Sequence, residues 1–141
     1  MFKKILVGTD GSGTAAAAVA HAVELAQAAG AELIVMSAYP HAKDVAPPLA
    51  PAQGYPGAEI AHGLLEDVEK RYGDKANLRT VTREGPATDV ILDVAEEEGV
   101  DVIVVGNKGM GGARRFILGS VPNAVSHHAP CHVLIVHTTD E

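Results

Sequence analysis

The sequence holds one cysteine and no tryptophan, and its only aromatic residues are three tyrosines and two phenylalanines. A lone Cys131 cannot close an internal disulfide, which sets an expectation of a reducing, cytoplasmic setting. Tyr39, Tyr55, Tyr72, Phe2 and Phe116 are too few for an open platform on which nucleic-acid bases could stack. A basic excess is also missing. Eleven Lys and Arg stand against 18 Asp and Glu, a net charge of −7, which argues against a nucleic-acid or anionic-membrane partner gripped by a broad basic surface. No apolar run approaches the roughly 20 residues of a membrane-spanning helix. Met1-Phe2-Lys3-Lys4-Ile5 leads straight into a strand-like segment, so no cleaved leader is expected.

What the sequence does contain is 47% apolar and 21% charged residues over 141 positions, the balance of a globular protein. That length corresponds to about one domain, spanning residues 1–141, able to bury roughly two-thirds of its unfolded surface without disulfide or metal. β-Branched runs alternate with alanine-rich or amphipathic stretches, the pattern of repeated βα units. Strands are expected at Lys4 to Gly8, Glu32 to Ala38, Leu78 to Arg83, Val102 to Val105 ending in Gly106, and Val133 to Val136.

The first helix should start at a Ser12 cap and stop at Gly30, burying Val19, Val23 and Ala26. A second, from about Ala58 to Tyr72, should turn Ile60, Leu64, Leu65 and Val68 inward. A third should have Pro86 in its first turn, Val90, Ile91, Val94 and Ala95 as its apolar stripe, and Gly99 as its end. Glu96, Glu97 and Glu98 read as a solvated face of that helix. A short last helix follows from Ser120 to about Ala129, closed by Pro130. The order β-α-β-α-β-α-β-α-β predicts an α/β fold, a doubly wound, Rossmann-like parallel sheet of five strands with helices on both faces. Residues 39–57, with five of the eight prolines, interrupt this order as a connection without regular structure, long enough to serve as a lid or partner surface.

In such sheets ligands bind beyond the carboxyl ends of the strands, where the strand order reverses. Two glycine-rich segments leave the sheet at such ends: Gly8-Thr9-Asp10-Gly11-Ser12-Gly13 after the first strand, and Gly106-Asn107-Lys108-Gly109-Met110-Gly111-Gly112 after the fourth. Gly106 and Gly109 omit a Cβ where a backbone would approach a ligand or take a positive φ. Gly119-Ser120 opens the last helix, whose first amides have no intrahelical acceptor and whose positive end favours phosphate. From Gly106 to Ser120 there are three basic residues, Lys108, Arg114 and Arg115, and no acid, leaving eight basic against 18 acidic residues elsewhere. A positive island on an acidic chain points to a small anionic ligand, though a solvated loop would look the same by charge alone.

The spacing Gly106-x2-Gly109-x9-Gly119-Ser120 resembles the ATP-binding signature of the universal stress protein family. Ile5 through Ser12 is similar to that family's first strand and turn, and Leu118 through Val136 to its last helix and strand. The resemblance covers the chain apart from the proline-rich insertion. It implies a cytoplasmic, regulatory ATP-binding module of stress response, commonly a homodimer, with Mg²⁺ accompanying the nucleotide. It places Gly8, Thr9 and Asp10 at the nucleoside, with Asp10 beside the ribose or a bound Mg²⁺, and backbone groups of Ala38 at the adenine. Val105 and Gly106 would line the ribose. Gly109, Gly119, Ser120 and Val121 would hold the phosphates, with Lys108 and Arg114 adding charge. His132 stands where relatives often place proline, at the start of the strand through which a dimer would form.

Other signals are weaker. Gly8-x4-Gly13-Thr14 imitates a phosphate-binding P-loop but lacks its lysine, and no G-x-G-x-x-G follows the first strand. The seven histidines, His127, His128, His132 and His137 among them, lack zinc-ligand spacing. Ser126 and His127 are adjacent on a helix and do not face each other as a hydrolytic pair. No convincing base to position water is present, so a non-enzymatic role is expected. A slow ATPase or nucleotidyl transferase, and a nucleotide-free scaffold dimer, stand as alternatives on the same fold.

Overall fold

A computed structural model describes residues 1–44, 57–108 and 119–138. Its strands are β1 (Lys4–Gly8), β2 (Glu32–Tyr39), β3 (Asn77–Glu84), β4 (Val102–Gly106) and β5 (His132–Val136). Its helices are α1 (Gly13–Ala29), α2 (Gly57–Tyr72), α3 (Ala87–Glu98) and α4 (Ser120–His128). The five strands form one parallel sheet in the order β3-β2-β1-β4-β5. The chain therefore winds outward from β1 through β2 to β3, then returns to the other side of β1 for β4 and β5. The reversal lies between β1 and β4, whose register sets Ile5 opposite Val102 and Val7 opposite Val104.

Alternation within the strands builds two cores. Ile5, Val7, Leu33, Val35, Val102 and Val104 point to one face, where α1 supplies Val19, Val23 and Ala26 and α2 supplies Leu65. Leu6, Ile34, Met36, Ile103 and Val105 point to the other, against Val90, Ile91 and Val94 of α3 and Val125 of α4. Strands β1, β2 and β4, apolar on both faces, are buried on both, as a parallel sheet between helices requires. The expected doubly wound architecture is the observed one.

Local signals set several boundaries. The Ser12 side chain accepts the Ala15 amide at 3.2 Å, satisfying one orphan donor of α1. Gly30 (φ 65°) and Gly99 (φ 64°) end α1 and α3 in the left-handed region, where a Cβ would be strained.

Four expectations need correction. Ile60 is half exposed: the buried stripe of α2 runs through Ala61 and Leu65, and Ile60 lies one residue, about 100° of helix, off that line. Pro86 is the N-cap of α3 rather than part of its first turn. Glu97 and Glu98 are not merely solvated. Arg83 Nη1 donates to both oxygens of Glu97, at 3.0 and 2.9 Å, and Arg79 Nη2 donates to Glu98 at 2.7 Å. These pairs tie edge strand β3 to α3, and the guanidinium of Arg79 holds the Glu98 carboxyl below its ordinary range. The segment expected to lack regular structure is trimmed at both ends, since Tyr39 closes β2, Ala42–Asp44 forms one 3₁₀ turn and Gly57 opens α2. Its remainder, residues 45–56, lies outside the described residues.

Candidate functional site

The carboxyl ends of β1, β2 and β4 converge on an open cleft of about 550 Å³ with the start of α4 at its side. β1 contributes Gly8 and then Thr9, Asp10 and Ser12, β2 contributes Met36 and Ala38, and β4 contributes Val105 and Gly106, followed by Lys108. The first turns of α1 (Thr14, Ala15) and α4 (Val121, Pro122), with Ala87 and Ile91 of α3, complete the wall. This is the topological switch point of the sheet, the place where open α/β sheets bind ligands.

Its chemistry divides into two parts. Met36, Ala38, Ile91 and Val105 make an apolar floor on the α3 side, suited to the flat face of a heterocycle. Thr9, Asp10, Ser12 and Lys108 make a polar rim. The turn after β1 is held by its own atoms. Thr9 N–H donates to the Met36 carbonyl at 2.9 Å, Asp10 Oδ1 accepts the Ser12 amide at 2.9 Å, and Thr9 Oγ1 accepts the Gly11 amide at 3.2 Å. Gly11, at φ 83°, makes that turn possible. Asp10 is thus fixed in place with one carboxylate oxygen engaged and a second to offer a ligand. A lone carboxylate could supply Mg²⁺ with one oxygen ligand, the rest coming from water or a guest.

Helix α4 has Gly119 as its N-cap, without a side-chain cap bond, so Ser120 is its first helical residue and does not cap it. By position Ser120 and Val121 present amides with no intrahelical acceptor, and Pro122 presents none. Asn123 N–H closes the first helical bond, to the Gly119 carbonyl at 2.9 Å.

Of the residues expected from the sequence, Gly8, Thr9, Asp10, Ala38, Val105, Gly106, Lys108 and Val121 line this one cleft. Gly119 and Ser120 stand at the head of α4 beside lining residue Val121 but do not line the cleft themselves. Gly109 and Arg114 lie outside the described residues. The positive φ that was one of two reasons expected for Gly106 is not found, and packing supplies a reason of its own. A Cβ there would collide with the Thr14 methyl and sit 3.3 Å from the Thr14 carbonyl oxygen. The close approach seen here is of α1 to β4, at a residue that also lines the cleft. Sequence reasoning missed Ser12, Thr14, Ala15, Met36, Ala87, Ile91 and Pro122 as lining residues. Among the described residues, no group of three or more His, Cys, Asp or Glu could hold a metal ion, and no helix is long and apolar enough to cross a membrane.

Known proteins with this sequence and shape agree on a family. The model of the universal stress protein family matches residues 1–137. A universal stress protein of Mycobacterium tuberculosis is 37% identical over 145 aligned residues, covering 98% of each chain, and one of Thermus aquaticus is 38% identical over 143, covering 96% of this chain and 99% of its own. Among solved structures, UspA of Lactobacillus plantarum superposes with a TM-score of 0.82 at 28% identity, covering 96% of this chain and 97% of its own. A universal stress protein crystallised in complex with cAMP superposes with a TM-score of 0.76 at 30% identity, covering 98% of both. With residues 1–137 matched by the family model and its cleft at the β1–β4 reversal, the chain belongs to the universal stress protein family.

Proposed function

We propose that this chain is a regulatory module that binds an adenine nucleotide, specifically ATP with Mg²⁺, at the carboxyl ends of β1 and β4. The observation that carries the reading is the convergence of three strand ends, an anchored carboxylate and the head of α4 on one cleft. A relative 30% identical over nearly its whole length was solved with cAMP, which supports an adenine nucleotide as the ligand class. The apolar floor of Met36, Ile91 and Val105 would take the base, with backbone groups of Ala38 reading its edge. Asp10 would accept ribose hydroxyls or hold Mg²⁺. Gly109, Gly119, Ser120 and Val121 would receive the phosphates, with Lys108 and Arg114 adding positive charge.

Asp10 is the sole carboxylate among the described lining residues, and no histidine is among them. The reading gives that one carboxylate to ribose or metal and assigns no catalytic base. Strand β5 pairs with β4 and ends the sheet, with Leu134 41% and Ile135 38% exposed. An apolar edge of this kind supports a homodimer formed through β5.

The test is native mass spectrometry of the purified protein, reporting bound nucleotide and subunit count together, followed by thermal melts with ATP, ADP and cAMP. Micromolar affinity at millimolar ATP would stabilise the fold by about 4 kcal/mol. No retained nucleotide and no nucleotide-dependent rise in Tm would refute the reading, and a rise with cAMP alone would replace ATP by the cyclic nucleotide.

A further inference from the structure

Asn107 is one of two buried polar residues among the described core, 9% exposed, and it does not line the cleft. Its neighbours Gly106 and Lys108 both do. Every polar group it owns is used at a junction of three segments. Its amide N–H donates to the Val136 carbonyl at 2.9 Å, extending the β4–β5 pairing by one residue. Its carbonyl accepts the Gly119 amide at 2.9 Å, which sets the head of α4 against the end of β4. Its side-chain Oδ1 accepts both the Thr138 amide at 2.9 Å and the Thr138 hydroxyl at 2.8 Å. Its Nδ2 faces His137 Nδ1 at 3.4 Å and donates to the Thr138 carbonyl at 3.5 Å, long contacts that complete the set. Because Thr138 N–H can only donate, the amide orientation follows from the network.

We infer that Asn107 is a positioning residue for the ligand cleft, clasping the tail after β5 so that the β4 exit and the head of α4 keep their separation. The inference rests on the nucleotide reading above. One wall of the cleft is Gly106 and Lys108; another is Val121 and Pro122, two and three residues beyond the Gly119 amide that Asn107 holds. Thr138 does not line the cleft, yet it holds the side chain of the residue whose backbone carbonyl anchors the head of α4. A change at Thr138 should therefore be felt by a ligand it never meets. The same clasp places the tail after β5 in register with cleft geometry, so a ligand that shifts the β4 exit would be sensed there.

The experiment compares wild type, Thr138→Val, Thr138→Ser, Asn107→Ala and the Asn107→Ala/Thr138→Val double variant. ATP and cAMP affinities are measured by calorimetry below each variant's Tm, and amide hydrogen exchange is followed at Gly119 to Val121 without nucleotide. Thr138→Val removes one hydroxyl donor and should weaken binding about threefold to tenfold, the range of one buried neutral hydrogen bond. It should also speed exchange at the head of α4. Thr138→Ser, which keeps the hydroxyl, should restore both. The double variant should be no weaker than Asn107→Ala alone, since both act through one junction. Wild-type affinity and unaltered exchange in Thr138→Val, or losses that simply add, would overturn the inference. Failure of the nucleotide reading would look different: wild type would bind neither nucleotide, while exchange at Gly119 still answered to Thr138→Val.

Discussion

Replacing Gly106 by alanine isolates the close packing beneath the cleft. The added Cβ would be driven into Thr14 Cγ2 and would lie 3.3 Å from the Thr14 carbonyl oxygen. Carbon atoms pack best at about 3.5–4.0 Å, so β4 and the first turn of α1 would have to part by roughly 1 Å. Neither can move freely. Val104 and Val105 before Gly106 are buried, and Thr14, β-branched within a helix, has few alternative rotamers. Overpacking of this kind costs about 1–3 kcal/mol, which for a domain of this size lowers Tm by roughly 3–9 °C. Thr14→Ser deletes the clashing methyl and should recover most of the loss in the double variant. Urea denaturation of the wild type, both single variants and the double closes the cycle, and the coupling should exceed about 1 kcal/mol. Gly106→Ala within about 0.5 kcal/mol of wild type, or no recovery with Thr14→Ser, would refute the steric account and return Gly106 to a purely ligand-facing role.

Asp10→Asn keeps an oxygen for the Ser12 amide, so its Tm should stay near that of wild type, while affinity for Mg-ATP should fall by at least about tenfold with the loss of the charge; calorimetry with and without Mg²⁺ reads this. The Asp101 carboxyl accepts the Lys3 and Lys4 amides, at 2.8 and 2.9 Å, and these bonds hold it below its ordinary value. Its stabilising effect is therefore complete above the unfolded carboxyl pKa and lost as pH falls through the lower folded value, and Asp101→Asn should flatten the acid limb of a Tm-versus-pH curve. Burial pushes the Cys131 thiol up, with the Asp101 charge adding to it. The native thiol should alkylate more slowly than free cysteine near pH 8, and its contribution to stability, present at lower pH, should fade as pH rises through the folded value. Iodoacetamide labelling at free-cysteine rates in the folded protein would count against that environment.

The strands and helix ends were legible in the sequence because their causes are local. Ser12 and Gly30 act within a turn of themselves, and the continuous apolar runs of β1, β2 and β4 announce strands covered on both faces. The turn after β1 and the exit of β4 were legible because glycines mark the places where those strands end. The rest depends on tertiary neighbours. Met36 and Ile91 read as ordinary core residues, and only the meeting of β2 with α3 turns part of each toward the cleft. Gly106 reads as a ligand-approach glycine, and its packing against Thr14, 92 residues away in sequence, shows only in the fold. Asn107 carried the one available signal, a polar residue directly after a fully apolar strand, but its partner Thr138 is 31 residues distant. Ile60 was misplaced because helical periodicity gives the direction of the stripe but not its width.

The head of α4 carries little unmet hydrogen bonding. The Gly119 amide is satisfied by Asn107, Pro122 has no N–H to satisfy, and Asn123 closes the ladder, so only Ser120 and Val121 are left to be met by solvent or a guest. If the cleft binds a nucleotide as proposed, its release would deprive the helix of little, and the fold should outlast the departure of its guest.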